Sequence, residues 1–326
     1  MPVRALTQWQ AATEVTWGTP VTPTVRLMGV SKSAKMVPDN KTSVYEDVRN
    51  GFQGSGLVGL EQIGGKVDLP LMATFEDLPY YLDNAFGQAS PTGTGPYVRA
   101  YQLPVGSITT PRILTLVHGN SQTGGGVFTL PGGLITQLKL AVKIGGPAQL
   151  TASFIGKQVD TSQSLQSLSD RPVTTIMGQP WVVYLDAWGG TIGSTQLTAT
   201  VVAFDLTVDL TRQVVRSVDA LAPDTWEQTG HKVGLDLVLR FNATTKTQID
   251  AYVAQTAAIQ KQIRLKQTNG TQICQLDVAG TMTKNNNIYD DQNDVLTTTM
   301  SFDGTYNSSL ANQFKASITN SVSVLA

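Results

Sequence analysis

The chain has 326 residues, a formal net charge of −1, one cysteine, and charged side chains at only 14% of positions, against about 25% in an average domain. A protein that grips nucleic acid through phosphates carries a basic excess, which is missing here, and a single cysteine excludes an intrachain disulfide framework. No stretch reaches the ~18 apolar residues that a membrane helix requires, and the first twenty residues lack the apolar core of a signal peptide, so a reducing cytoplasm is the expected folding compartment. The missing charge is replaced by Thr, Ser, Gln, Asn and Gly, a mix that favours strands and turns and suits a surface covered by neighbouring subunits.

Residues 30–48 read as a β-like segment. After them comes NGFQGSGLVGLEQIGG, in which Gly54, Gly56 and Gly59 form a literal G-x-G-x-x-G. A dinucleotide fingerprint needs a strand before it and a helix opening at the third glycine. Here Gly59 leads to another glycine pair and then to GKVDLPLM, which alternates as a strand, so the run is expected to be a loop joining two strands. FEDLPYYLDNAFG follows as a helix: Phe75, Leu78, Leu82 and Phe86 fall at steps of three and four, Thr74 offers an N-cap, Pro79 sits near the first turn, and Gly87 is a stop. Residues 88–130 read as an insertion with a strand of its own, RILTLVHG. A hairpin over 133–156 comes next, in which Leu138, Leu140, Val142 and Ile144 alternate with Gln137, Lys139, Ala141 and Lys143. DTSQSLQSLSDRP, residues 160–172, has the composition of a linker.

The second half repeats that order. VVAFDLTVDLTRQVVRSV, residues 201–218, alternates throughout and would span about 60 Å if fully extended. Residues 220–230 are loop-like. In HKVGLDLVLR, Val233, Leu235, Leu237 and Leu239 alternate with Gly234, Asp236, Val238 and Arg240. The next helix, TTKTQIDAYVAQTAAIQ, has Thr244 or Thr245 as cap and Ile249, Tyr252, Val253 and Ile259 as its stripe. A hairpin over 272–304 ends with Leu296, Thr298, Met300 and Phe302 alternating. Strand, loop, strand, helix and hairpin thus occur twice. The expected organisation is a first domain over 1–165, with an N-terminal arm and the insertion, and a second over 172–326 with a C-terminal tail.

No catalytic constellation is visible. The two histidines, His118 and His231, stand at no metal-ligand spacing, and with one cysteine a structural zinc site has too few favoured ligands. No G-x-S-x-G elbow occurs. Asp290, Asp291 and Asp294 lack the glycine and distal glutamate of a calcium loop and read as a hairpin tip, with a weak cation site as the alternative. Trp17, Trp181, Trp188 and Trp226 read as buried anchors or subunit contacts. Trp17, Phe52, Leu57 and Trp226 are the candidate subunit or ring contacts. The non-apolar strand faces carry Asp68, Asp205, Asp209, Asp236 and Asp277, with Lys139 and Lys143 among them. Such a set is either an ordinary solvated sheet face or the lining of a wide channel.

The opening AATEVTWGTPV, with Glu14, Gly18, Thr19 and Pro20, resembles the N-terminal stretch of long-tailed bacteriophage tail tube proteins, two-domain type. The order LDNAFG, RILTLVHG, LPGGLITQLKLAV and LTASFIG continues the resemblance along essentially the whole chain. The fold it implies is mainly β: two tandem β-sandwich or barrel tube domains, each with one flanking helix, and long hairpins joining an intersubunit β-barrel. The function it implies is structural, not enzymatic: stacked rings form a tube that conducts DNA during ejection. No catalytic residue, metal or cofactor is implied. The implied partners are other copies of the chain, tape-measure and tail terminator or tip proteins, and DNA in non-specific transit, with no membrane insertion, in a virion tail assembled in the host cytoplasm. Tubes with one such domain per chain form hexameric rings, so a chain with two is expected to close the ring with three copies. A carbohydrate- or receptor-binding β-sandwich of a virion spike is the competing expectation.

Overall fold

Period-two alternation becomes antiparallel sheet almost everywhere it occurs in the sequence, and the chain is mainly β. The computed structural model describes residues 6–45, 57–120, 122, 125–285, 288–292 and 295–325. The first half contains β1 (Thr7–Thr13), β2 (Val25–Arg26), β3 (Lys35–Pro38), β4 (Lys41–Tyr45), β5 (Leu57–Gln62), β6 (Gly65–Met72), α1 (Leu78–Phe86), β7 (Tyr97–Gln102), β8 (Leu114–Asn120), β9 (Val127–Lys143) and β10 (Gln149–Gly156). The second contains β11 (Trp181–Ala187), β12 (Val201–Asp209), β13 (Arg212–Val215), β14 (Thr225–Gln228), β15 (Lys232–Arg240), α2 (Ala243–Val253), β16 (Gln260–Asn269), β17 (Gln272–Asn285), β18 (Asp290–Gln292), β19 (Val295–Gly304) and β20 (Phe314–Asn320).

One sheet runs in the order β11-β16-β17-β19-β15-β12-β9-β10-β6-β3 and does not close into a barrel within the chain. The repeat is visible in that order. The first half pairs as β3-β6-β10-β9 and the second as β12-β15-β19-β17, joined head to tail by β9 and β12. In each hairpin the first strand carries a bulge: the register skips Thr136 in β9 and Thr283 in β17. The halves are tied a second time by β7 and β20. There the buried Arg99 donates to Asn320 Oδ1 at 3.3 Å and to the carbonyls of Val322 and Ser323 at 2.8 and 3.1 Å.

Where the chain was expected to run on as one long strand, it breaks. Residues 201–218 form β12, then turn at Thr211 (φ 42°), then form β13, which among the described residues pairs only with β14 in a separate two-stranded sheet. The Asp209 carboxylate accepts the Thr211 N–H at 2.8 Å and holds the turn. Of the segment 30–48, residues 30–45 are described and divide likewise into β3 and β4, and β4 pairs with β5. Period-two alternation cannot report such a break, because the polar and apolar parity continues across it: Leu210 and Arg212 are both buried.

The helices also shift from their expected caps. Asp77, not Thr74, is the N-cap of α1, and the Thr74 hydroxyl accepts the Asp77 N–H at 3.2 Å one turn earlier. Asn242 caps α2 by accepting the Thr245 N–H, so neither Thr244 nor Thr245 is the cap. α2 stops at Val253, and Ile259 leads into β16 instead of extending the helical stripe. All nine residues of α1 are buried, its Leu78, Leu82 and Phe86 facing Leu138, Leu140, Leu206 and Val208 of β9 and β12. The segment 160–172 forms no helix or strand of its own and lies along the first half, where Gln166 and Gln10 exchange two hydrogen bonds and Arg171 pairs with Asp77.

Candidate functional site

Side chains that alternate out of the core gather on the opposite face of the sheet, and the register fixes their neighbours. One row crosses six strands from β3 to β15 as Lys35, Asp68, Ser153, Gln137, Asp209 and Lys232. A second row sets Asp205 directly opposite Asp236, continuing through Ser301 to Lys284 of β17. Lys139 lies opposite Thr207, and Lys143 opposite Ala203. Asp68 is approached by Lys35 Nζ at 3.5 Å and accepts the Ser153 hydroxyl at 3.0 Å. Lys139, Lys143 and Asp236 are exposed, while Asp68, Asp205 and Asp209 are half-buried. Interspersed signs keep this face hydrophilic and close to neutral. Among the described residues no group of three His, Cys, Asp or Glu is gathered to hold a metal ion.

Asp277 shares the parity of that face, since β17 sets it on the same side as Thr281 opposite Asp303, but it is withdrawn from solvent. It is 6% exposed and takes a two-pronged contact from Arg264, Nε at 2.7 Å and Nη2 at 2.8 Å. Alternation alone could not separate it from the other aspartates, because its cover is the Arg264 side chain, which the pairing of β16 with β17 sets directly opposite it. Trp17 is half-buried and donates its indole N–H to the Gly132 carbonyl at 2.9 Å, within the chain. Trp226 lies in β14 under the Arg212 guanidinium, 5.5 Å from the ring centre. Phe52 lies outside the described residues. Leu57 opens β5, and Gly59 sits within that strand opposite Ser43, so no helix starts at the third glycine of the run. His118 stacks on Trp9 with ring centres 4.2 Å apart. Cys274 is fully buried, which pushes its thiol up to about 12 and leaves it unreactive.

Two buried groups, Glu14 of the N-terminal signature and Arg212, have tasks that the sequence did not reveal. Glu14 accepts the Gly18 N–H at 2.8 Å, the Gly132 N–H at 2.8 Å and the Thr115 hydroxyl at 2.7 Å. The Glu-to-Gly spacing at 14 and 18 is therefore a local clamp: Gly18 turns back with φ 74°, and the carboxylate pins the N-terminal arm to β8 and β9. Burial raises the Glu14 carboxyl pKa above its ordinary value despite the three donors. Arg212, 6% exposed, reaches from β13 to α1 and donates to the carbonyls of Asn84 (2.8 Å), Ala85 (2.8 Å) and Ile135 (3.1 Å). A cation at a helix C-terminus satisfies carbonyls that have no partner within the helix. An arginine standing in the apolar row of an alternating segment was the available signal.

Beside the sheet, β4 and β5 form a two-stranded arm whose Val44, Tyr45, Val58 and Leu60 are 65%, 48%, 62% and 47% exposed. A hairpin of two strands is marginal by itself, and clustered exposed apolar side chains mark a contact surface. Its counterpart is the β13–β14 arm, which touches it where the Ile63 N–H meets the Leu221 carbonyl at 3.1 Å. The arrangement offers a wide polar sheet face, an arm with clustered exposed apolar side chains, and strand edges at the ends of an open sheet. A family model described as phage tail tube protein matches residues 5–304. No curated protein matches the chain.

Proposed function

The chain belongs to the phage tail tube protein family, a structural component of the virion tail, and from that premise we propose that it builds the wall of the tube. The repeats 1–165 and 172–326 act as two tube domains. Three copies close a ring of pseudo-sixfold symmetry, rings stack, and the polar sheet face carrying Asp68, Lys139, Lys143, Asp205, Asp209 and Asp236 lines the lumen through which DNA passes. The exposed apolar arm β4–β5 and the β13–β14 arm beside it make contacts between subunits or rings. Tape-measure protein inside the tube and terminator and tip proteins at its ends are the other partners.

The observation that carries this reading is the open sheet with its repeat in head-to-tail order. An uncovered sheet edge is an aggregation hazard, and closure into a barrel removes it. The mixed, near-neutral face also suits passage, since a basic lining would retain phosphates. Negative-stain microscopy of purified protein at rising concentration, with and without tail-tip complexes, tests it. Hollow tubes with a regular axial repeat and a ring mass of three chains are expected. Discrete particles that never extend, even on tip complexes, would replace the tube reading with that of a virion spike, and a ring mass of six would overturn the stoichiometry alone.

A further inference from the structure

Among the described residues two strand ladders join the halves, β9 with β12 and β7 with β20. We infer that they are unequal: the first is a permanent junction, and the second is a clasp that opens as a unit when residues 320–325 let go of the first half. The clasp lies within one copy and works apart from any contact between copies.

The two ladders are built from different material. β9 and β12 meet over an apolar face, where Leu138, Leu140, Val142, Phe204, Leu206 and Val208 are all buried. β7 buries only two side chains, and both carry polar tips: Arg99, and Tyr101, whose hydroxyl donates to Asp83 Oδ1 at 2.9 Å. β20 is the one ladder partner of β7 among the described residues, whereas β20 also holds β17 on its other edge. Separation at β7 therefore leaves β20 within the sheet of the second half. Few buried apolar contacts and a single ladder place β7 among the segments that open at low cost.

Residues 320–325 act as the latch, and main-chain and amide groups do most of the holding. The fully buried Asn320 donates to the Phe75 carbonyl at 2.7 Å, just ahead of α1, and its Oδ1 accepts from Arg99 and from the Val322 N–H. The Val322 and Ser323 carbonyls take the rest of the Arg99 guanidinium. Arg112, which lies 3.2 Å from Asp83, points Nη1 at the Leu325 carbonyl at 3.5 Å. Leu325 is buried, while Val324 beside it is 78% exposed.

Arg99 makes the opening cooperative. It is 1% exposed, and its three acceptors all belong to the latch. Once the latch lifts, a buried guanidinium without acceptors costs more than the strand hydrogen bonds around it return. The side chain leaves for water and draws β7 off β20 with it, as far as Leu103, whose N–H reaches the Phe314 carbonyl at 3.4 Å and whose carbonyl accepts from Asn312. No comparable charge sits in the β9–β12 junction, so that ladder stays closed and the halves keep one common sheet.

Hydrogen exchange of the full-length, unassembled protein tests the clasp. Asn320→Ala is expected to speed the β7 amides at least about tenfold, evenly from residue 97 to residue 103, while those of β9 and β12 keep the wild-type rate. Adding Arg99→Met to Asn320→Ala is expected to slow β7 again, because no stranded cation remains to drive the opening. Three results overturn the clasp: faster exchange confined to amides beside residue 320, equal acceleration in β9 and β12, or a double variant that opens more than the single one. Where Asn320→Ala does not fold, a lock on the otherwise wild-type chain decides. Ala100 and Ser317 stand opposite each other, so Ala100→Cys with Ser317→Cys can be compared oxidised and reduced. Oxidation is expected to slow exchange along the whole of β7 and to leave β9 unchanged. Slowing limited to the neighbours of the new bond, or none, overturns the inference.

Discussion

Glu14 shows how a short sequence signature can be architectural. Its three donors come from residues 18, 115 and 132, so only the first lies within local reach. Burial raises its pKa above the ordinary carboxylate value, which means that the folded chain holds a proton the unfolded chain has released. Stability therefore falls as pH rises from about 4.5 through the raised folded value. Glu14→Gln cannot titrate and leaves one donor facing an amide N–H, at a cost of about 1–3 kcal/mol. The stability gap between wild type and Glu14→Gln is expected to be widest near pH 4 and to narrow toward pH 7, as read by denaturant unfolding across that range. A gap that widens with pH would show that the carboxylate is the favoured form. The buried Asp77 and Asp83 are shifted the same way by burial, and their contributions cancel in the comparison.

Among the elements, the weakest sequence inference was the continuity of 201–218, and Arg212 explains why the chain turns there. Its guanidinium is lowered to about 10 by burial and remains charged at neutral pH. A buried cation needs partners, and the break at Thr211 delivers it to three carbonyls of α1 and β9. Arg212→Ala should cost about 3 kcal/mol or more, because α1 then ends on unpartnered buried carbonyls. Arg212→Lys should recover only part of that, since an ammonium cannot fan out to all three acceptors. Denaturation midpoints of the two variants decide it. Equal losses would mean that the charge matters little and the fork is everything, and no loss would remove Arg212 as the tie between the repeats. The helices teach a related lesson. Apolar periodicity located both, but α2 is mostly exposed in one chain, a fact its stripe could not convey.

At the scale of the whole molecule, the polar face is where the proposed passage of DNA can be challenged. Asp209 is unsuitable for substitution, because its carboxylate holds the Thr211 turn. Asp205 and Asp236 oppose each other on that face without such a task. Particles built with Asp205→Lys and Asp236→Lys together are expected to form normal tubes and to release DNA several-fold more slowly at low salt, with the defect fading as salt is raised. Release kinetics that match wild type at every salt concentration would take this face away from the lumen.

The sequence by itself determined the β class, the parity of Lys139, Asp205 and Asp236, and the approximate positions of both helices. Each of these is a local periodicity, and burial of one face enforces it residue by residue. Only the tertiary structure decided that the two halves fuse into one sheet through β9 and β12, that Asp277 is withdrawn into a pair with Arg264, and that α2 is mostly exposed. Those outcomes depend on which edges and faces meet across more than a hundred residues of chain, and strand pairing between distant segments leaves no period in the sequence to read.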